Sequence, residues 1–256
     1  MDGADIDDRD YVQSLVRGLE VIRAFSRFRP RMTLSEVAQH TDMTRAAARR
    51  FLLTLVREDY AETDGKYFTL RPRVLDLGFA YLTSSGIWQP AQPALKEVVE
   101  RTKESCSLAV LDGEEIVYVL RVPAQRVLTI GLSVGTRLPA HCTALGRVLV
   151  AGLPDEDRAR FVETCRLEPL TSHTTTDRAR FAALVAEAGR RGWTAVDEEL
   201  EFGLRALAVP VLDARGRTVA AMCVSAHVER TSMEQLEAVA LPALREASAK
   251  ISAALG

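Results

Sequence analysis

Two threonines eleven residues apart, Thr33 and Thr44, each stand where a helix can begin, and a helix between them must be short. Thr33-Leu34-Ser35-Glu36 is a capping box: the Thr33 hydroxyl can accept from the amide three residues on while Glu36 reaches back. The helix it starts buries Leu34 and Val37 and ends by His40. Thr44 caps the next, which runs to about Glu58, with Thr41-Asp42-Met43 as the turn. A helix, three or four residues, and a second helix is the spacing of a helix-turn-helix.

The flanks agree with that unit. Tyr11 to Phe25 places Val12, Leu15, Leu19 and Ile22 at helical spacing, and Pro30 closes this first helix. Tyr60 to Thr63 and Lys66 to Leu70 flank Asp64-Gly65, a signal for a two-residue type I′ hairpin, so the unit reads as a winged helix. On the third helix Ala48, Phe51, Leu52 and Leu55 share one face. Arg49, Arg50, Ala46 and Leu53 point away from it, with Arg45 at the shoulder. A recognition helix needs this arrangement, because long donors must reach base edges while small residues admit the backbone to the groove. The candidate DNA contacts are therefore Thr44, Arg45, Ala46, Arg49 and Arg50, with Ala47 allowing close approach and Lys66 reaching phosphate from the wing.

Charge supports this placement only when read locally. The 256 residues carry a net charge of -2, which excludes a uniformly basic nucleic-acid coat and a polybasic membrane binder. Residues 11 to 73 nevertheless hold twelve basic and seven acidic side chains, a local +5, behind an acidic leader and ahead of a mildly acidic remainder. The four cysteines, Cys106, Cys142, Cys165 and Cys223, form no C-x-x-C pair, against a zinc knuckle or a disulfide framework and in favour of a reducing compartment. An acidic N-terminus without an apolar stretch of about 18 residues anywhere predicts a cytoplasmic protein without a membrane partner.

A linker helix from about Arg73 to Thr83 carries two apolar stripes, Leu75, Gly78, Phe79, Leu82 and Val74, Leu77, Tyr81. A second subunit or the chain's own second domain must cover one of them. The domain expectation is 11–70 for DNA binding, 71–85 for the linker and 86–256 for the remainder, with Ser84-Ser85-Gly86 at the boundary. That remainder reads as α+β with a mainly antiparallel sheet. Helices fall at Ile87 to Glu104, Thr143 to Ala151, Asp155 to Cys165, Asp177 to Arg191 and Ser232 to Leu255. Strands fall at Ser105 to Leu111, Glu115 to Arg121, Arg126 to Val134, Ala206 to Leu212 and Arg217 to Ser225.

Three motifs invite chemistry. Gly131-Leu132-Ser133-Val134-Gly135 has the form of a nucleophile elbow, followed in hydrolase order by Asp197 or Asp213 and His227. The elbow demands a helix after the serine, and Pro139 stands against one, so a serine hydrolase is the lesser alternative. Neighbours in an extended segment face opposite sides, so His141-Cys142 is no dyad, and Cys142 reads as a small buried residue near a helix start. Asp197-Glu198-Glu199 lacks histidines at ligand spacing and reads as a solvated turn; no metal or cofactor is expected, and no enzyme.

The chain resembles the IclR-type bacterial transcriptional regulators from Tyr11 to its final helix, and specifically the branch governing protocatechuate, 4-hydroxybenzoate and β-ketoadipate catabolism. The similarity rests on Tyr11 to Ile22, on Thr44 to Leu52, on Gly135 to Gly146, and on Asp197-Glu198-Glu199 with Gly203-Leu204-Arg205. It implies a winged helix-turn-helix joined to a GAF-like effector domain, a homodimer or dimer of dimers on double-stranded operator DNA, and a small carboxylic or aromatic acid as effector. It also implies that the effector meets Val127, Ile130, Ala144, Leu145, Ala206, Cys223 and Ser225. The residues themselves add that free amides from Thr143 to Leu145, at a helix start, suit a carboxylate and that the Ser225 hydroxyl can orient it. Two positions depart from the family pattern: Asp42 where glycine is common, and Ala206 where some relatives are polar.

Overall fold

The computed structural model describes residues 10–26, 28–84, 86–124 and 132–255. The chain divides into two compact units, Met1–Tyr81 and Leu82–Gly256. In the first, α1 (Gln13–Ala24), α2 (Leu34–His40) and α3 (Arg45–Arg57) surround a core of Val21, Met32, Val37, Ala48, Leu52 and Phe68. Both predicted caps form. The Glu36 amide donates to Thr33 Oγ1 at 3.3 Å while Glu36 Oε2 accepts from the Thr33 amide at 2.6 Å. Thr44 Oγ1 accepts from the Ala47 amide at 3.2 Å. Asp42 takes φ +48°, so the turn survives the loss of glycine.

Three local expectations are corrected. A three-residue strand, β1 (Arg31–Thr33), precedes α2 and pairs with β3 (Tyr67–Leu70), which also pairs with β2 (Ala61–Thr63). The loop between β2 and β3 is not a two-residue type I′ turn: Thr63 faces Phe68 across a four-residue loop, and only Gly65 has positive φ. The cause is the Asp64 carboxylate, whose Oδ1 accepts from the Lys66 and Tyr67 amides at 2.9 and 2.8 Å. On α1 the fully buried residue is Val21, while Val12, Leu15 and Leu19 remain at least 46% exposed.

After α4 (Leu75–Ser84), the second unit is a six-stranded antiparallel sheet flanked on both faces by helices. Its order is β6 (Arg137–Pro139), β5 (Glu115–Val122), β4 (Ser105–Asp112), β9 (Thr218–His227), β8 (Leu204–Leu212) and β7 (Thr194–Asp197). Period-two alternation sorts each strand between two cores. Leu108, Leu207, Val209, Met222 and Val224 pack with α5 (Trp88–Thr102) and α10 (Leu241–Ala254). Ala109, Ala208, Ala221 and Cys223 face α6 (Ala144–Ala151) and α8 (Arg178–Arg191). The first face is dominated by large aliphatics, whereas on the second the central strands present Ala109, Ala208, Ala221 and Cys223, with Ile116, Tyr118 and Val196 on the strands to either side.

The predicted strand over 126–134 falls partly outside the described residues, and its described part, 132–134, is not a strand; β6 forms instead, pairing with β5. β7 was also not foreseen. The last helix is interrupted: a turn (α9, Met233–Gln235) and a π-type stretch at Leu236–Ala240 precede α10, because Pro242 has no amide to close a regular bond.

Candidate functional site

The exposed face of α3 carries the first site. Arg45, Ala46, Arg49 and Arg50 are exposed, Ala47 is half-buried, and Ala48 and Leu52 hold the opposite face in the core. Four other arginines of this unit are neutralised, Arg17 by Glu20, Arg31 by Asp64, and Arg71 and Arg73 by Asp59, whereas Arg23, Arg29 and Arg57 have no ion pair among the described residues. Among the described residues Arg45, Arg49 and Arg50 have no such partner. Three uncompensated cations around the N-terminal half of a helix, where the amides already favour an anion, form an attractive surface for phosphate. Lys66 sits exposed on the wing, its ammonium 5.1 Å from the Tyr67 ring centroid.

The second site lies on the small-residue face of the sheet. A pocket there is lined by Tyr118, Leu132, Cys142 to Leu145, Val196, Leu200, Leu204, Ala206, Cys223 and Ser225. Six residues expected from the sequence meet in it: Thr143, Ala144, Leu145, Ala206, Cys223 and Ser225. Val127 and Ile130 lie outside the described residues. Tyr118, Leu132, Cys142, Val196, Leu200 and Leu204 were missed; on a single sequence they read as ordinary apolar strand and loop positions.

Thr143 caps α6, its Oγ1 accepting from the Gly146 amide at 3.1 Å. Gly146 is required because a Cβ there would meet the Ala140 carbonyl oxygen at 2.1 Å. The amides of Ala144 and Leu145, in the first turn, have no intrahelical acceptor, and both residues line the pocket. Among the described residues no ionised side chain lines it. Burial pushes the Cys223 thiol up to about 11 and the Cys142 thiol up to about 12, so both stay protonated. The pocket thus offers apolar walls, neutral donors and a helix N-terminus, a combination suited to an apolar molecule with a carboxylate.

Behind α6, the Asp197-Glu198-Glu199 segment departs from the expected solvated turn. Glu199 is buried, and its Oε2 accepts from Arg147 Nη2 at 2.5 Å and from the Thr175 amide at 3.1 Å. Glu198 adopts φ +56° and its carboxylate accepts from the Gly203 amide, while Asp197 holds Arg205 through both carboxylate oxygens. The Arg147–Glu199 pair ties α6, which supplies the pocket amides, to the β7–β8 loop, which supplies Leu200. His141 is buried, with Nε2 3.0 Å from the Glu168 carbonyl oxygen, and burial lowers its pKa. Cys142 is buried just before α6, as expected.

The nucleophile-elbow alternative fails on geometry. Ser133 is followed by a turn with Gly135 at φ +86° and then by β6, not by a helix. Its hydroxyl lies 3.5 Å from Thr136 Oγ1. Among the described residues no cluster of His, Cys, Asp or Glu is arranged for a metal ion, and no helix is long and apolar enough to cross a membrane.

Two family models match this architecture, the IclR helix-turn-helix domain over residues 14–65 and the C-terminal domain of bacterial IclR transcriptional regulators over 79–253. The chain is 40% identical over 242 residues to the Pca regulon regulatory protein of Pseudomonas putida, covering 94% of this chain and 83% of that one. It is 37% identical to the p-hydroxybenzoate hydroxylase transcriptional activator of Acinetobacter baylyi, covering 94% and 91%. Among solved structures, an IclR homologue from Microbacterium hydrocarbonoxydans complexed with 4-hydroxybenzoate superposes with a TM-score of 0.83 at 25% identity, covering 94% and 98%. With its helix-turn-helix and its pocketed sheet domain both matched, the chain belongs to the IclR family of bacterial transcriptional regulators.

Proposed function

We propose that this regulator acts in the cytoplasm on genes of aromatic-acid catabolism, binding operator DNA as a homodimer or dimer of dimers and responding to an acid of the protocatechuate or 4-hydroxybenzoate kind. Arg45, Arg49 and Arg50 meet the major groove, with Thr44 and Ala46 at its edge and Lys66 on phosphate. The acid places its carboxylate on the Ala144 and Leu145 amides beside Thr143, with its ring against Ala206, Cys223 and Ser225.

The observation that carries this reading is the pocket. DNA binding needs no donor-lined apolar slot in a second domain, whereas a ligand-controlled regulator does. Exposed Leu15 and Leu19 on α1, and Leu75 and Leu77 on α4, support assembly, since apolar side chains in such numbers are ordinarily covered by a partner. The effector acts by favouring one placement of the paired DNA-binding units, because a ligand shifts only states it binds unequally.

Fluorescence anisotropy on the DNA upstream of the neighbouring catabolic genes tests this, at fixed salt, with and without 4-hydroxybenzoate or protocatechuate. The expected result is specific binding that either acid changes, together with an Arg49→Ala variant of lower affinity and a salt slope reduced by about 1. Unchanged affinity for Arg49→Ala and Arg50→Ala overturns the interface, and indifference to both acids overturns the effector.

A further inference from the structure

Strand β5 does not run straight. Leu108 of β4 faces Leu120, but the next residue, Ala109, faces Tyr118, so Val119 is an extra residue bulged out of the ladder. Without that bulge, Tyr118 would share the parity of Leu120 and Val122 and point into the core under α5 and α10. With it, Ile116 and Tyr118 are turned to the opposite face, where Ala109, Ala221 and Cys223 leave room for a ring. The pocket therefore receives its one phenol through a local irregularity in the strand.

Tyr118 is 4% exposed and lines the pocket; its hydroxyl has no hydrogen-bond partner among the described residues and is not sealed from solvent, so it is the part of the ring left open to the pocket. In the open pocket water can satisfy this hydroxyl, and a ligand that displaces the water must supply an acceptor or leave the donor unpaired. Burial also raises its pKa, so it remains a neutral donor. Ser225 lines the same pocket from β9, with its Oγ 3.8 Å from Cys223 Sγ. The amides of Ala144 and Leu145 come from α6, and Tyr118 and Ser225 from the sheet. An acid seated by its carboxylate on the helix leaves the sheet-borne hydroxyls to any second oxygen on its ring.

Resting on the reading of this pocket as an aromatic-acid site, we propose that Tyr118 is its specificity-determining residue, donating a hydrogen bond to a ring oxygen of the effector. It selects hydroxylated benzoates over benzoate itself. A site built around a hydrogen bond rejects the analogue that lacks the group, because the donor is then buried without a partner.

The test is isothermal titration of the full-length protein with 4-hydroxybenzoate, protocatechuate and benzoate, for the wild type and Tyr118→Phe. The wild type is expected to bind at least one hydroxylated acid about ten-fold or more tightly than benzoate, a difference of about 1.4 kcal/mol. Tyr118→Phe should lose most of that ratio, binding the hydroxylated acids more weakly and benzoate no more weakly than the wild type does, and should melt no lower than the wild type without ligand, since the hydroxyl it removes is unpaired. Should it fail to fold, Tyr118→Met repeats the comparison with a donor-free side chain of similar reach. A wild type without discrimination, or a variant whose affinities are all unchanged or all equally weakened, overturns the role of Tyr118 and leaves the pocket standing. A wild type that binds none of the three acids overturns the aromatic-acid reading and the proposal with it.

Discussion

Glu199→Gln isolates what the buried Arg147–Glu199 pair contributes. The substitution keeps shape and one carbonyl oxygen but removes the charge facing a guanidinium that is 1% exposed. Arg147 Nε is already a buried donor without a partner among the described residues, and beyond Glu199 the guanidinium has only a long 3.4 Å bond from Nη2 to Thr175 Oγ1. At about 4 Å and an effective dielectric near 20, the lost attraction is about 4 kcal/mol. Breaking a buried pair by removing one partner costs about 3–5 kcal/mol, and the retained glutamine oxygen places this case near 3. With a urea dependence of about 2 kcal/mol per M, the unfolding midpoint should fall by about 1.5 M. Both tryptophans, Trp88 and Trp193, lie in the second unit, so their fluorescence follows its unfolding at fixed protein concentration. The double variant Arg147→Met/Glu199→Leu should recover most of the loss, since two well-packed apolar side chains replace a desolvated pair. A midpoint lowered by less than about 0.3 M would place the pair with exposed ion pairs and refute the reasoning.

Two glycines should respond with opposite signs. Gly146→Ala, with its Cβ forced against the Ala140 backbone, should cost about 1–3 kcal/mol, whereas Gly189→Ala on α8, whose nearest neighbour would be 3.8 Å away, should gain about 0.5–1 kcal/mol; urea titration of each decides. The native thiols should be inert: at pH 8 a group with a pKa of about 11, as at Cys223, is ionised about one part in a thousand, so iodoacetamide with mass analysis should label the cysteines only after denaturation. His141 should make the second unit acid-sensitive. Its folded pKa lies below the unfolded value near 6.5, so the unfolded state binds the extra proton first, and stability is complete above that pH and falls as pH drops through it. His141→Asn should flatten that part of the stability profile, and an unchanged slope would reject the assignment.

What could be read from the sequence was what short-range chemistry decides. Thr33 and Thr44 cap helices through atoms three residues away, so α2 and α3 were legible with their ends. β1 was not, because three residues become a strand only when Tyr67 to Thr69 arrive beside them. The Asp64-Gly65 dipeptide announced a hairpin but not its loop, which depends on a carboxylate choosing two amides. Glu199 read as solvated because its partner is 52 residues away in the chain. Tyr118 was lost to the bulge: the spacing of Ile116, Tyr118, Leu120 and Val122 describes one face of a regular strand, and the register slip that splits them is a property of the paired sheet.

Beside the small-residue face of the sheet this domain keeps a narrow pocket, bordered from the sheet by Tyr118, Val196, Ala206, Cys223 and Ser225. Ala109, Ala208 and Ala221 pack in the core with α6; it is at Ala206 and Cys223, which line the pocket, that larger side chains would close it, and each large-to-small difference of this kind forgoes about 2–5 kcal/mol of packing. Under the proposed function, an aromatic ring entering the pocket behaves as the missing side chain, delivered from solution instead of by the gene. Ligand at a hundred times its dissociation constant would return about 2.7 kcal/mol to the folded state. On the proposed reading of the pocket, sensing is the late completion of a hydrophobic core, and the concentration of an aromatic acid sets how complete that core is.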